Sequence, residues 1–297
     1  MYRSRARLRL GMPHTQSGGL SEVALLAYLG DLRWRDVATA IGVPAASLRD
    51  AEGHAVYASF YFVEVDGLPA QGLGAFGPDD DLDIVSGLVR FGRSMLDGDH
   101  CLYRAGTLGA ELPATLPSAP RVRLSNVFVR EGTGPDDLRV TAPATGRIED
   151  VPVSPAEPDS YRLAKEARER GSFFAAPAGA TPLWPAPRVV EYRIDPDRDV
   201  NGVGLVYFAN YVAFMDHAER RALEESGAYA PDRLDGRRTL RRRIGFYGNA
   251  RRHDMLAVEV ETLALTEPDR LLVHHRVCRR ADGRLIAVSS VEKALCA

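Results

Sequence analysis

The chain has 297 residues, 45% of them hydrophobic, and a formal net charge of −2. That is enough apolar material for one large domain or two of ordinary size, each with a packed core. The near-neutral balance excludes a general nucleic-acid or membrane-surface binder, which would carry a basic excess.

The N-terminal "MYRSRARLRLGMPH" is basic and lacks the apolar stretch of a secretory signal. It is expected to enter the fold as a strand, "ARLRLGM", with a transit peptide as the alternative. A helix follows over 21–40, with Ser21 as N-cap and Leu25, Leu26, Leu29, Val37 and Ile41 on one face. Runs rich in β-branched and aromatic residues predict strands over 54–65, 81–96 and 121–131. Residues 143–187 are proline-rich and enclose a short polar helix, "SYRLAKEARERG"; they read as a linker over the surface. A second helix is predicted over 207–226, burying Phe208, Tyr211, Val212, Met215 and Leu223. Strands over 237–248, 254–266, 270–280 and 284–295 complete the chain.

Displaced by 185 residues, the sequence matches itself. Gly19-Leu20 falls on Gly204-Leu205, Asp31 on Asp216 and Arg35 on Arg220, and both segments end in glycine, Gly42 and Gly227. Each half therefore reads as a strand, one long helix and several antiparallel strands. This is an α+β arrangement, a sheet wrapped around one central helix, and two copies give a double hot dog with sheets joined edge to edge. A pair of ferredoxin-like domains competes, but one helix per unit speaks against it. The expected boundaries are 1–142 and 188–297 for the two units, with the linker at 143–187. Such a chain contains its own pseudo-dimer, so both monomer and homodimer are compatible with it.

P-loop, GxGxxG, GxSxG, HExxH and EF-hand signatures do not occur in the sequence. No cofactor and no metal are expected. His274 and His275 are adjacent on a strand and point to opposite faces, which does not suit a shared metal. Cys101, Cys278 and Cys296 contain no CxxC pair, as in a reducing compartment, and a cytoplasmic location is expected. The lead for chemistry is "DVNGVGLVYFANY". It places Asn201, Gly202, Gly204 and Leu205 just before a helix, where unpaired backbone N–H groups and a positive dipole end can polarise a thioester carbonyl. Gly18, Gly19, Leu20 and Ser21 offer a second such terminus. The stretch is similar to the hot-dog thioesterase pattern of an acid, a Gly-His pair and an Asn-led helix start. Here Val203 stands in the histidine's place and Asp199 is offset.

Together, "GMPHTQSGGLSE", "LGDLRWRD", "YASFYFVEV" and "DVNGVGLVYFANY" resemble the leinamycin-pathway (LnmK-type) family of bifunctional acyltransferase/decarboxylases, over most of the chain outside the linker. The resemblance implies a double hot-dog enzyme of polyketide biosynthesis. It implies transfer of the acyl group of methylmalonyl-CoA to an active-site tyrosine, decarboxylation, and delivery of propionyl to the phosphopantetheine arm of an acyl carrier protein. The tyrosine it implies lies on the strand carrying Tyr57 and Tyr61; "YASF" favours Tyr57, with Tyr61 open. A phenol titrates near 10, so it needs a positive field or a donor to act as a nucleophile at neutral pH. His14 and Asn210 are candidate polar groups of the substrate tunnel. Arg241, Arg242, Arg243, Arg251 and Arg252 are candidates for CoA phosphates or an acidic carrier surface.

Two other readings stand beside this one. A thioesterase or dehydratase would need a general base, for which Asp31, Asp216 or Glu22 are candidates. Asp31 and Asp216 can instead pair with Arg35 and Arg220 at i, i+4. A non-catalytic acyl-binding module is the remaining reading.

Overall fold

The computed structural model describes residues 2–112, 116–132, 138–267 and 269–295. Cys296 lies outside them. The first unit comprises β1 (Tyr2–Arg9), α1 (Glu22–Ile41), β2 (Tyr57–Asp66), β3 (Asp81–Phe91), β4 (Met95–Asp97), β5 (Asp99–Arg104), β6 (Arg121–Glu131) and β7 (Leu138–Val140). The linker carries α2 (Asp159–Arg170). The second unit comprises β8 (Arg188–Arg193), α3 (Asn210–Ser226), β9 (Arg238–Phe246), β10 (Met255–Ala264), β11 (Arg270–Arg279) and β12 (Leu285–Ala294).

One 13-stranded sheet runs through both units in the order β1-β3-β4-β6-β2-β9-β12-β11-β10 and ends on the two-residue strand Thr181–Pro182, with β8 also on β10, β5 against β3 and β6, and β7 on β6. The apolar faces of α1 and α3 are buried in its two concavities, and their leucines join a single core. Each helix stops at a glycine in the left-handed region, Gly42 at φ 74° and Gly227 at φ 65°. Three expected boundaries shift. The 81–96 run is two strands, because Gly92, at φ 63°, reverses the chain after Phe91. "DHCLYR" adds the short β5, which its polar start conceals. The second helix begins at Asn210, not Tyr207, because residues 207–209 form its entry turn.

The two units meet where β2 pairs with β9. This seam is four residue pairs long, from Arg242↔Val65 to Gly245↔Phe62. On one face the linker straps it. Ser160 of α2 is 3.0 Å from the Tyr61 hydroxyl, Tyr247 donates to the Ala164 carbonyl at 2.7 Å, and Phe173 packs edge-on against Phe62.

On the helix side, beside the seam, lies a buried ion cluster. Arg242 is fully buried and bridges Glu22 of α1 (2.8 Å) and Asp216 of α3 (2.7 Å). Lys293 holds Asp216 at 2.8 Å and Glu219 at 2.9 Å, Arg237 adds a contact to Glu219, and Thr239 donates to Glu22. Three carboxylates meet three cations, so the charge closes. The expected Asp216–Arg220 pair does not form. Arg220 turns to Glu224 and Asp235, because Asp216 faces the interior cations. Asp31 and Arg35 do pair, at 3.1 Å on the surface.

Removing one partner from such a cluster strands the others. Arg242→Met is expected to lower stability by about 3–5 kcal/mol in urea unfolding. Burial would raise the Asp216 carboxyl, but Lys293 and Arg242 outweigh it and hold the group well below its ordinary 3.8. That stabilisation is present above the unfolded-state value and is lost as pH falls below it toward the folded value. Stability is therefore expected to decline below about pH 4, and Asp216→Asn to flatten that part of a pH–stability curve measured by the urea midpoint.

Candidate active site

Beyond Phe62 and Gly245 the seam strands part. A cavity of about 370 Å³ opens there. Tyr57, Ala58, Ser59 and Phe60 of β2 form one wall, and Phe246, Gly248 and Asn249 another. Asp31 and Trp34 of α1 close a side, and the 201–208 turn with Tyr211 of α3 closes the rest. Both units thus contribute, and Tyr57 of the first faces the entry turn of the second.

The Tyr57 hydroxyl has no hydrogen-bond partner among the described residues. Tyr61 is elsewhere. It is the extra residue of a β-bulge, since Phe60 pairs with Asn126 and Phe62 with Ser125, and it reaches α2 rather than the cavity. Burial raises its phenol.

The entry turn is self-bonded. Asn201 accepts from the amides of Val203 (3.1 Å) and Leu205 (3.2 Å), and its carbonyl accepts from Gly204 (3.0 Å). The expectation that Gly204 and Leu205 present free amides is therefore corrected: both are engaged, and Gly204, at φ 80°, serves the turn. Leu205 still lines the cavity. The amides without an acceptor among the described residues are those of Gly202, within the turn, and of Phe208 and Ala209, one turn later at the start of α3. Asn210 is not a tunnel group; as the first residue of α3 it ties the helix to the preceding turn, its Nδ2 donating to the carbonyls of Arg198 and Asp199. Asp199 is 2% exposed and holds Tyr192, Arg198 and the Asp195 amide, so it is closed to substrate.

The other terminus is corrected as a binding site. A Cβ at Gly18 would lie 2.7 Å from the Arg237 carbonyl, and one at Gly19 2.5 Å from Gly74. Backbone occupies the space a ligand would need. Leu20 is core, Ser21 caps α1 by accepting from the Ala24 amide, and His14 accepts from the Gly11 amide within its own turn.

The arginine run is corrected as well. Arg242 is the buried bridge, Arg241 pairs with Glu292 and Arg243 with Glu64, and the latter two stack over Phe174. Arg251 lies beside Leu205, and the exposed Arg252 reaches Gly204 of the entry turn. His274 contacts Ser290 at 2.8 Å, and burial lowers it to about 4. His275 faces Glu219 on the other side of the strand. Asp50, Glu52 and His54 cluster near the surface, but Arg130 already occupies their midst.

Trp34, Ser59, Phe60, Tyr207, Tyr211, Phe246 and Asn249 were not legible as site residues. The one local signal was Gly30, a glycine inside a helix. It forms a notch in α1 that receives Tyr207, whose hydroxyl donates to the Ala27 carbonyl at 3.2 Å, and Phe208, which stacks on Phe60 with centroids 3.9 Å apart. Burial, with Asp31 nearby, pushes the Tyr207 phenol up to about 12.

The mate of this cavity lies across the pseudo-dyad. There Gln16, Ser17 and Asp216 stand where Asn201, Gly202 and Asp31 stand here, and Arg237 and Lys293 supply the floor.

The LnmK N-terminal Hot Dog Fold domain matches residues 9–175. The chain belongs to this LnmK family. Solved structures agree on the fold. An acyl-ACP thioesterase from Bacteroides thetaiotaomicron superposes with a TM-score of 0.62 at 12% identity, covering 98% of this chain and 97% of that one. A putative oleoyl thioesterase from Lactobacillus plantarum gives 0.64 at 10%, covering 99% and 95%. The 12:0-ACP thioesterase from Umbellularia californica gives 0.62 at 12%, covering 99% and 94%. No curated protein sequence matches the chain. Among the described residues, no helix is long and apolar enough to cross a membrane.

A methyl group at Gly30 would sit 2.7 Å from the Phe208 ring and 2.5 Å from the Tyr207 hydroxyl. In an exposed helix Gly→Ala gains about 1 kcal/mol. Here Gly30→Ala is expected to reverse the sign, costing on the order of 1 kcal/mol through overpacking, as read by the denaturation midpoint.

Proposed function

We propose that this LnmK-family protein takes the acyl group of methylmalonyl-CoA, or malonyl-CoA, onto Tyr57, decarboxylates it, and passes propionyl, or acetyl, to the phosphopantetheine thiol of an acyl carrier protein. The observation that carries this reading is the placement of Tyr57. Its unpartnered hydroxyl lines the same cavity as Phe208, at the N-terminus of α3.

The Tyr57 oxygen attacks the thioester carbonyl. The C–S bond breaks, and CoA leaves as the thiol with the phenol's proton. The Phe208 and Ala209 amides suit the oxyanion of this step, since fixed donors cost no reorganisation. Loss of CO2 leaves the bond's electron pair as an ester enolate, which the same donors stabilise, and the α-carbon takes a proton from water. The pantetheine thiol then attacks the ester, and Tyr57 recovers its proton. Arg252, exposed beside Gly204 of the entry turn, is the group proposed to meet a CoA or pantetheine phosphate. No step calls on a metal or organic cofactor. The structural relatives described as acting on acyl-ACP are in keeping with a carrier-protein partner.

A hydrolytic reading has one observation in its favour. Asp31 lines the cavity, 3.1 Å from Arg35, where a base could activate water.

Intact-protein mass after mixing with methylmalonyl-CoA separates the two. The proposal expects a methylmalonyl or propionyl adduct that Tyr57→Phe abolishes and Tyr61→Phe retains. Free CoA with no adduct would favour hydrolysis.

A further inference from the structure

Among the described residues, those lining the cavity include no Lys, Arg or His, and Asp31 is their one charged side chain. A malonyl-type substrate brings a second carboxylate into this space, and it must find neutral donors there. Two asparagines are built to supply them. The side-chain oxygen of Asn201 accepts from the Val203 and Leu205 amides, and that of Asn249 from the Ala250 amide at 3.1 Å, a donor it shares with the Tyr211 hydroxyl at 3.2 Å. Backbone N–H groups can be met only by the oxygen, so these contacts fix which way each side-chain amide is turned. What is left on each is the NH2 group, without a partner among the described residues. Both residues lie on the cavity wall, one from the α3 entry turn and one from the chain just past β9.

We infer that the Nδ2 groups of Asn201 and Asn249 form a neutral clamp for the carboxylate that the substrate loses. This rests on the reading of the cavity as an acyl-CoA site and adds the recognition of the leaving group. The absence of a cation in the clamp has a chemical consequence. An arginine would hold the carboxylate by a paired charge and oppose its departure as neutral CO2. Amide donors in a largely apolar cavity orient the group while leaving its charge uncompensated. The ground state is thereby less favoured than an enolate whose charge has moved to the α3 amides.

The test is binding, made on the Tyr57→Phe background so that no turnover intervenes. Calorimetric Kd values are compared for methylmalonyl-CoA and propionyl-CoA, which differ by the carboxylate. Asn249→Asp keeps the oxygen that holds the Ala250 amide and replaces the donor with a negative oxygen, so its local fold is preserved. The background is expected to prefer methylmalonyl-CoA. Asn249→Asp is expected to weaken methylmalonyl-CoA about tenfold or more and propionyl-CoA less than about threefold. Equal weakening of both ligands, no weakening of either, or no preference in the background would overturn the clamp while leaving the acyl-CoA site intact. If the background binds neither CoA ester, the site reading itself fails and the clamp with it.

Discussion

The molecule depends on how two sheets are joined along one short seam. β2 and β9 share only four hydrogen-bonded pairs. Along them the sheet is continuous and the core passes from one unit to the other. Past them the strands splay, and the space between is the cavity. A longer pairing would close it; a shorter one would leave the units to be held by side chains alone. The α2 strap on one face and the Arg242 cluster on the other reinforce the joint from both sides. The site is thus a property of the junction, and neither unit contains it alone.

The repeat explains why one cavity can carry chemistry while its mate has become structural. At positions related by 185 residues, Tyr207 and Trp34 line the open cavity where Glu22 and Glu219 carry charge on the other side. The backbone plan is the same. The side chains differ: one junction is apolar with uncommitted donors, and the other is an open cleft beside ions that pair with one another. The charged side gains a tie between α1, α3, β9 and β12. Because the ions close their own charge, that side has little to offer a ligand at neutral pH.

What was readable in the sequence follows from periodicity and repetition. The helix faces, the glycine stops, the duplicated turn and the strand-rich halves are local patterns, and they place Tyr57 on a strand and Asn201 before a helix. The arginine run shows where such reading ends. Strand alternation sends Arg242 inward and its neighbours outward, but the acids that receive them come from positions 22, 64, 216 and 292. Only the fold brings these together. A single bulge at Tyr61 likewise decides that one of two similar tyrosines faces the linker helix, and bulges leave no mark in composition. The free amides are those of Gly202, Phe208 and Ala209 and not of Gly204 and Leu205, because Asn201, through its side chain and its carbonyl, takes up those donors of its own turn. Asn249 and the aromatic walls come from four separate stretches, so no local motif announces them.

The most direct test of the account is a crystal structure with a non-hydrolysable methylmalonyl-CoA analogue. The account predicts the acyl group in the splayed seam, within contact of Tyr57 and Phe208, and the pantetheine arm leaving past Gly204 and Arg252. Density for the acyl group in the opposite cleft, against Asp216 and Lys293, would contradict it.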